Sequence, residues 1–315
     1  FRLFDKDRSV ATVEELEARF KTCKPALMST VDFLSIPGSP VSYWAGATAR
    51  GIFGSLPPLE SVSPPKTGMT TGDDGRFLRL WHEVDRSKLG VDLESAELAL
   101  ESGLKWFPYN KGGNFRRWYG NNLNVINWEE NGREIKEWVV SNPNDPKTTS
   151  WSRRIFNYEY FFRECITYTL LSGSGFCVRH IKSGAIFNVN GPSIFQMNGN
   201  IFYYAALMNS TVAFYLLKII NPTLAFNPGD VAKLPIIRID DVVEKNNITQ
   251  SAEEIHALYK KDWDAAEISE GFQIHPILLA TASEGCLERT WVGYTRNLFN
   301  EFNRAKQIEE YLNAK

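Results

Sequence analysis

Residues 105–120 read KWFPYNKGGNFRRWYG, with Lys105, Lys111, Arg116 and Arg117 interleaved among Trp106, Phe107, Tyr109, Phe115, Trp118 and Tyr119 and no acid between them. Cations release counterions from a phosphate backbone and flat rings stack on bases, so the pattern suits nucleic-acid binding. Arg153, Arg154 and Arg163 extend the basic stretch. The plainer alternative places the rings in a core and leaves the cations as their solvated neighbours. A second candidate runs from Lys66 to Arg79, where Gly68, Gly72 and Gly75 alternate with Thr70, Thr71, Asp73, Asp74, Arg76 and Arg79. Small residues bring backbone amides close to a partner, threonine hydroxyls donate or accept, and an arginine fork matches guanine O6 and N7. Its alternative is an ordinary Gly/Asp hairpin turn with solvated arginines.

Enzyme chemistry finds less support. His82, His180, His256 and His275 show none of the helical spacings of a metal site, and each reads as a surface or satisfied core histidine. Neither a P-loop nor a strand-linked G-x-G-x-x-G is present, and Ser172-Gly173-Ser174-Gly175 lacks the glycine spacing of a nucleophile elbow. Ser63-Pro64-Pro65-Lys66 comes near the Asn/Asp/Ser-Pro-Pro-aromatic motif that holds a flipped base for amine methylation. A lysine stands where the stacking ring belongs and no glycine-rich S-adenosylmethionine turn precedes it, so a connector is the better reading. Hence no catalytic residue, no metal and no cofactor are expected in this chain.

Positioning such side chains requires a folded scaffold, and 315 residues with 43% hydrophobic and 23% charged residues suffice for one large domain or two ordinary ones. A formal net charge of -2 excludes a uniformly basic coat. Charge is unevenly placed: 101–182 has 12 bases against 8 acids, and 240–315 has 8 bases against 14 acids. Cys23, Cys165, Cys177 and Cys286 form neither a disulfide framework nor a C-x-x-C zinc pair, which fits a reducing, cytoplasmic compartment. No run approaches the roughly 18 apolar residues of a membrane span, and FRLFDKDRSV is charged where a signal peptide is apolar. A start at Phe1 rather than Met reads as a piece of something longer.

Thr12-Val13-Glu14-Glu15 predicts a capping box opening a helix through Phe20. Pro37 to Pro65 read as a proline-rich connector. From about 60 to 205, short apolar runs alternate with turn dipeptides such as Asn131-Gly132 and Ser183-Gly184, which predicts mostly β structure, with 175–182 and 184–190 as hairpin partners. Helices are expected at 202–208 and 211–220, split by Asn209-Ser210, and a buried strand at Leu234-Pro235-Ile236-Ile237. Ser251 to Glu254 predicts another capping box, and Leu287, Trp291, Tyr294, Leu298, Phe302, Ile308 and Leu312 form one apolar stripe on a long final helix.

Two long motifs carry a resemblance. K-x-G-x-x-T-G-D-[DN]-x-R-F-L-R-x-W from Lys66 to Trp81, and K-W-F-P-Y-N-K-G-G-x-F-R-x-W-Y-G-N-N from Lys105 to Asn122, resemble the C-terminal half of the PglX family. These are the adenine-specific DNA methyltransferases of BREX phage-exclusion systems. Tyr160 to Thr167 also matches, with Cys165 where the family usually has glycine, as do Asn209-Ser210, Asn221-Pro222-Thr223-Leu224 and Leu234-Pro235, so that the match spans about 40–240. The region is similar as well to TaqI-type specificity domains and, in its Leu-Pro-Ile ending, to type I specificity subunits.

The resemblance implies an α+β fold: a helix and connector over 1–40, a mostly β target-recognition domain with a mixed or antiparallel sheet over 41–240, and a helical segment over 241–315. It implies double-stranded DNA as partner, read without methyl transfer, while S-adenosylmethionine binds an N-terminal methyltransferase domain of the parent protein. Other BREX subunits are further partners. The expected DNA-binding residues are Lys66, Thr70, Thr71, Asp73, Asp74, Arg76, Arg79, Lys105, Tyr109, Lys111, Arg116, Arg117, Trp118, Tyr119, Arg153 and Arg154. The competing class is a protein-interaction module that docks the methyltransferase domain through its acidic, apolar-striped helical end.

Overall fold

In Trp106-Phe107-Pro108-Tyr109-Asn110, Phe107 and Tyr109 are buried while Trp106 and Pro108 are half-buried, the period of two that a one-faced strand requires. The computed structural model describes residues 12–22, 29–195, 197, 201–284 and 286–315. These fall into two units, residues 1–55 and 56–315.

The first unit holds α1 (Val13–Thr22), α2 (Val31–Leu34) and α3 (Ala47–Ser55). Thr12 and Glu15 cap α1 reciprocally: the Glu15 amide donates to Thr12 Oγ1 (3.3 Å) and the Thr12 amide to Glu15 Oε2 (3.2 Å). The stretch expected to be a structureless proline connector contains α3, because Pro40 and Pro57 flank that helix rather than interrupt it.

In the second unit β1 (Leu78–Leu80), β2 (Trp106–Asn110), β3 (Asn124–Asn127) and β6 (Ile186–Phe187) form a four-stranded sheet in the order β1-β3-β2-β6. Its first three strands are antiparallel, and β6 lies parallel to β2 with Tyr109 opposite Ile186. A second sheet, β5-β4-β7, is built from β4 (Cys165–Tyr168), β5 (Val178–Ile181) and β7 (Ser193–Ile194). α4 (Asp74–Phe77) leads into β1, and α5 (Ala96–Glu101) and α6 (Glu129–Ser141) stand between strands. After them come α7 (Ile201–Asn209), α8 (Thr211–Ile220), α9 (Pro228–Val231), α10 (Val242–Asp264), α11 (Pro276–Glu284) and α12 (Leu287–Ala314). Phe77, Phe107, Ile126, Ile135, Phe162 and Phe187 anchor the core between the four-stranded sheet and α6.

Helix accounts for 48% and strand for 11% of the chain as described, so the fold is mixed α/β rather than strand-dominated. The expected hairpin across Ser183-Gly184 is replaced by a split: β5 pairs with β4, and β6 joins the other sheet. Both runs are wholly buried, so apolar periodicity alone names no partner. Gly184 takes φ +107°, and a Cβ there would sit 2.9 Å from the Asp92 amide, which draws this turn onto the 92 loop. The capping box at Ser251 is also overturned. Helix α10 starts ten residues earlier, where Asp241 accepts from the Val243 and Glu244 amides (2.8 and 3.2 Å).

Ser210 separates α7 from α8 as expected, accepting from the Ala213 amide at 3.1 Å, and the two helices bend by 67°. Among the described residues no single helix is long and apolar enough to cross a membrane. Residues 234–237 make only an isolated bridge, Pro235 to Pro58, in place of a strand. The final helix forms as expected, but its stripe is buried only toward the end, at Ile308 and Leu312, while Leu287, Trp291, Leu298 and Phe302 stay exposed.

Candidate nucleic-acid interface

The turn after Lys66 is pinned at several points. Lys66 exchanges backbone hydrogen bonds with Ser193 (2.7 and 3.0 Å), and the Met69 amide donates to Phe187 O (2.9 Å). Gly68 is required here, because a Cβ would lie 2.0 Å from the Phe187 carbonyl oxygen. Asp73 accepts from the Arg76 amide (3.1 Å) and so starts α4, while Thr71 Oγ1 donates to Asp74 Oδ1 (2.6 Å). Lys111 Nζ lies 2.6 Å from Asp74 Oδ2. Burial pushes the Asp74 carboxyl up, but the bonds from Lys111 and Thr71 outweigh it and hold the pKa low.

Arg76 donates through Nε and Nη2 to Glu134 Oε1 (3.1 and 2.6 Å) and lies 5.0 Å from the rings of both Phe77 and Trp138. Glu134 and Trp138, one turn apart on α6, therefore bracket its guanidinium. Arg79 Nη1 donates to the Gly75 and Leu78 carbonyls, and its guanidinium lies 5.9 Å from the Trp106 ring.

A second loop comes up beside this turn. The Thr70 amide donates to Arg154 O (2.8 Å), and Asn157 Nδ2 donates to Thr67 O (2.8 Å). Arg154 pairs with Asp145 at 2.5 Å and Arg153 is exposed beside it. Lys66, Thr70, Thr71, Asp73, Asp74, Arg76, Lys111, Arg153 and Arg154 thus share one neighbourhood. Beneath it, Thr70 Oγ1 and Trp138 Nε1 are buried with no hydrogen-bond partner among the described residues.

The aromatic-basic run divides. Tyr109 is in the core: its hydroxyl donates to Met69 O (3.4 Å) and accepts from Asn188 Nδ2 (2.6 Å), and burial pushes its pKa far up. Trp118 is 3% exposed, its backbone bonded to Val178 and His180 of β5. Lys105 pairs with Glu129 at 3.1 Å. Arg116 and Arg117 turn toward acids on α10 and α12. Arg116 Nη2 lies 2.6 Å from Asp262 and its guanidinium 4.8 Å from the Trp263 ring. Glu309 accepts from Arg117 Nη1 (2.9 Å), Trp118 Nε1 (3.1 Å) and the Tyr259 hydroxyl (3.3 Å).

The loop between Lys111 and Arg117 is shaped by a residue the spacing does not single out. Arg179, 1% exposed, donates to the Gly112 and Arg116 carbonyls (3.4 and 3.3 Å) and to Thr169 Oγ1 (3.2 Å). Among the described residues no carboxylate pairs with it, and burial lowers its pKa. Its strand-centre position, Val178-Arg179-His180-Ile181, is the one available signal, because an arginine inside an apolar run must find carbonyls to donate to. Among the described residues no three His, Cys, Asp or Glu side chains converge as a metal site.

No protein-family model matches the chain. The chain is 32% identical over 288 residues to the adenine-specific methyltransferase PglX of Lacticaseibacillus casei (strain Zhang). It is 30% identical over 316 residues to the adenine-specific methyltransferase BrxX of Escherichia coli O9:H4 (strain HS). These matches take in 90% and 99% of this chain but 23% and 24% of the relatives, so the chain spans about a quarter of their length. It is similar to one part of such methyltransferases.

Proposed function

We propose that the chain is the DNA-reading part of a BREX-type adenine-specific methyltransferase, acting in the cytoplasm on double-stranded DNA. Methyl transfer and S-adenosylmethionine binding belong to a separate methyltransferase domain of the parent, and a TaqI-like specificity domain is the nearest functional analogue. The observation that carries this reading is the meeting of the 66–79 turn with the 151–157 loop through Thr70 and Asn157. It gathers two carboxylates and several cations, groups that base edges and phosphates take, over the buried Thr70 and Thr71 hydroxyls.

Lys66, Arg153 and Arg154 supply phosphate contacts there, and Arg76, braced by Glu134, reads a base. Lys105 and Arg79 flank the same sheet. Arg116 and Arg117 reach DNA only if Asp262 and Glu309 release them, and buried Tyr109 and Trp118 act as supports for their loop.

Anisotropy of a labelled duplex across a salt series tests this. The expected result is a log-log slope of about -0.9 for each phosphate neutralised, with S-adenosylmethionine giving no heat on titration into the chain. A flat salt response at measurable affinity defeats the reading.

A second reading concerns α11 and α12, where Leu278, Leu279, Leu287, Trp291, Phe299 and Phe302 are exposed. So much apolar surface on a helical pair favours docking, and the methyltransferase domain of the parent is the proposed occupant, ahead of other BREX subunits. Trp291→Asp should abolish co-purification of the separately expressed methyltransferase domain while leaving duplex affinity unchanged; retained co-purification contradicts this docking.

A further inference from the structure

Segments far apart in the chain close on one cavity of about 480 Å³. Its apolar wall includes Trp81, Pro108 and Tyr119. Trp81 Nε1 donates to Ile268 O at 2.9 Å, which fixes the indole edge. The Tyr119 ring stands edge-on to His256 with centroids 5.4 Å apart.

Burial disfavours charge on the two histidines here. His180 Nε2 bonds Glu164 Oε1 (2.8 Å) and His180 Nδ1 meets His256 Nε2 (3.3 Å). Burial lowers the pKa of both, and burial, His180 and Lys260 bring that of His256 to about 4. Opposite them Glu270 has no hydrogen-bond or ion-pair partner among the described residues, and burial, together with Asp92 and Asp264, pushes its carboxyl up to about 7. Cations stand at the rim: Lys182 beside Asp92 at 3.2 Å, Lys260 bonded to Asp264, and exposed Arg86.

A metal ion lacks ligands here, since no three suitable side chains converge among the described residues. A simple anion gains little, since Lys182 and Lys260 already face carboxylates. Flat apolar walls, an unpartnered carboxyl able to donate and accept, and a cation at the mouth suit a planar amino-heterocycle bearing phosphate. We propose that this cavity binds a nucleotide, its base against Trp81 and Tyr119, the amidine edge of adenine or cytosine on Glu270, and its phosphate at Arg86. The nucleotide comes either free from solution or as a residue turned out of a duplex. Only the second source rests on the DNA-reading function.

Quenching of intrinsic tryptophan fluorescence by deoxyadenosine monophosphate tests the free source on the full chain. Saturable binding is expected, at least tenfold tighter than for thymidine monophosphate and weakening as pH rises through about 7 with loss of the Glu270 proton. Trp81→Leu should weaken it about tenfold, in line with one lost stacking contact. Glu270→Ala should do likewise, whereas Glu270→Gln, which still donates and accepts, should retain binding and lose the pH dependence. The second arm uses a duplex carrying aminopurine. A fluorescence rise with the native chain, absent in Trp81→Leu, identifies an extruded base, and anisotropy of an unmodified duplex reports DNA binding separately. Failure of duplex binding alone removes the DNA-reading function and leaves the cavity to the first arm. Absence of both saturable quenching and an aminopurine signal overturns the proposal.

Discussion

Glu309 is the point at which the final helix is tied to the basic-aromatic loop, and its removal should be costly. It accepts from Arg117, Trp118 and Tyr259, and the side chains of the Arg117–Glu309 pair are only 27% and 24% exposed. Breaking a buried pair from one side costs about 3–5 kcal/mol, because the remaining charge is left without a partner. Among the described residues Arg117 Nε is already buried without a hydrogen-bond partner, so the guanidinium has no second acceptor there to turn to. Partial exposure lets water rehydrate the freed group and brings the expected cost of Glu309→Ala to about 2–3 kcal/mol. In a unit of this size that lowers Tm by roughly 4–10 °C. Glu309→Gln keeps a carbonyl acceptor for Trp118 and Tyr259 and should lose about half as much. Denaturant unfolding with an Arg117→Ala double-mutant cycle separates the ion pair from the other two bonds. A Glu309→Ala stability within about 0.5 kcal/mol of the native chain refutes the clamp.

Glu270→Gln should raise Tm above pH 7 and change it little near pH 5. The native carboxyl has its pKa raised from 4.5 to about 7, so its contribution is present below 4.5 and lost as pH rises through 7, where a buried charge forms; a larger gain in acid than in base contradicts this. His256 titrates the other way: with its pKa lowered from 6.5 to about 4, its contribution is present above 6.5 and lost as pH falls through 4. A His256→Gln chain should therefore lose less stability than the native one on acidification across that window. Gly68→Ala should destabilise by about 1–3 kcal/mol, because the added Cβ overlaps the Phe187 carbonyl; an unchanged denaturation midpoint excludes that close approach.

Local signals in the sequence are the most legible. Thr12 with Glu15, Ser210 between two apolar runs, and the spacing from Leu287 onward each specify a helix end or face through bonds made within a few residues. Asn131-Gly132 does mark a break, as left-handed φ at Glu130, Asn131 and Gly132 attests, although it falls inside the span of α6, near its start. Pairing across distance is not legible: 175–182 and 184–190 look like a hairpin yet enter different sheets, since wholly buried strands carry no alternation to declare their neighbour. The 66–79 turn stands out by composition, but its braces do not, because Glu134, Asp145 and Asn157 become partners only through the fold. Likewise Arg116 and Arg117 look free in a run without acids, and their acids lie about 150 and 190 residues further on.

Base reading by the turn that α6 braces is open to a direct test. Arg76→Ala in a full-length methyltransferase carrying this chain, followed by genome-wide mapping of methylated adenines, tests it most directly. Methylation should persist but lose preference at one base position, by about 1–3 kcal/mol of discrimination. The same site methylated with the same stringency would contradict it and leave the turn as scaffold.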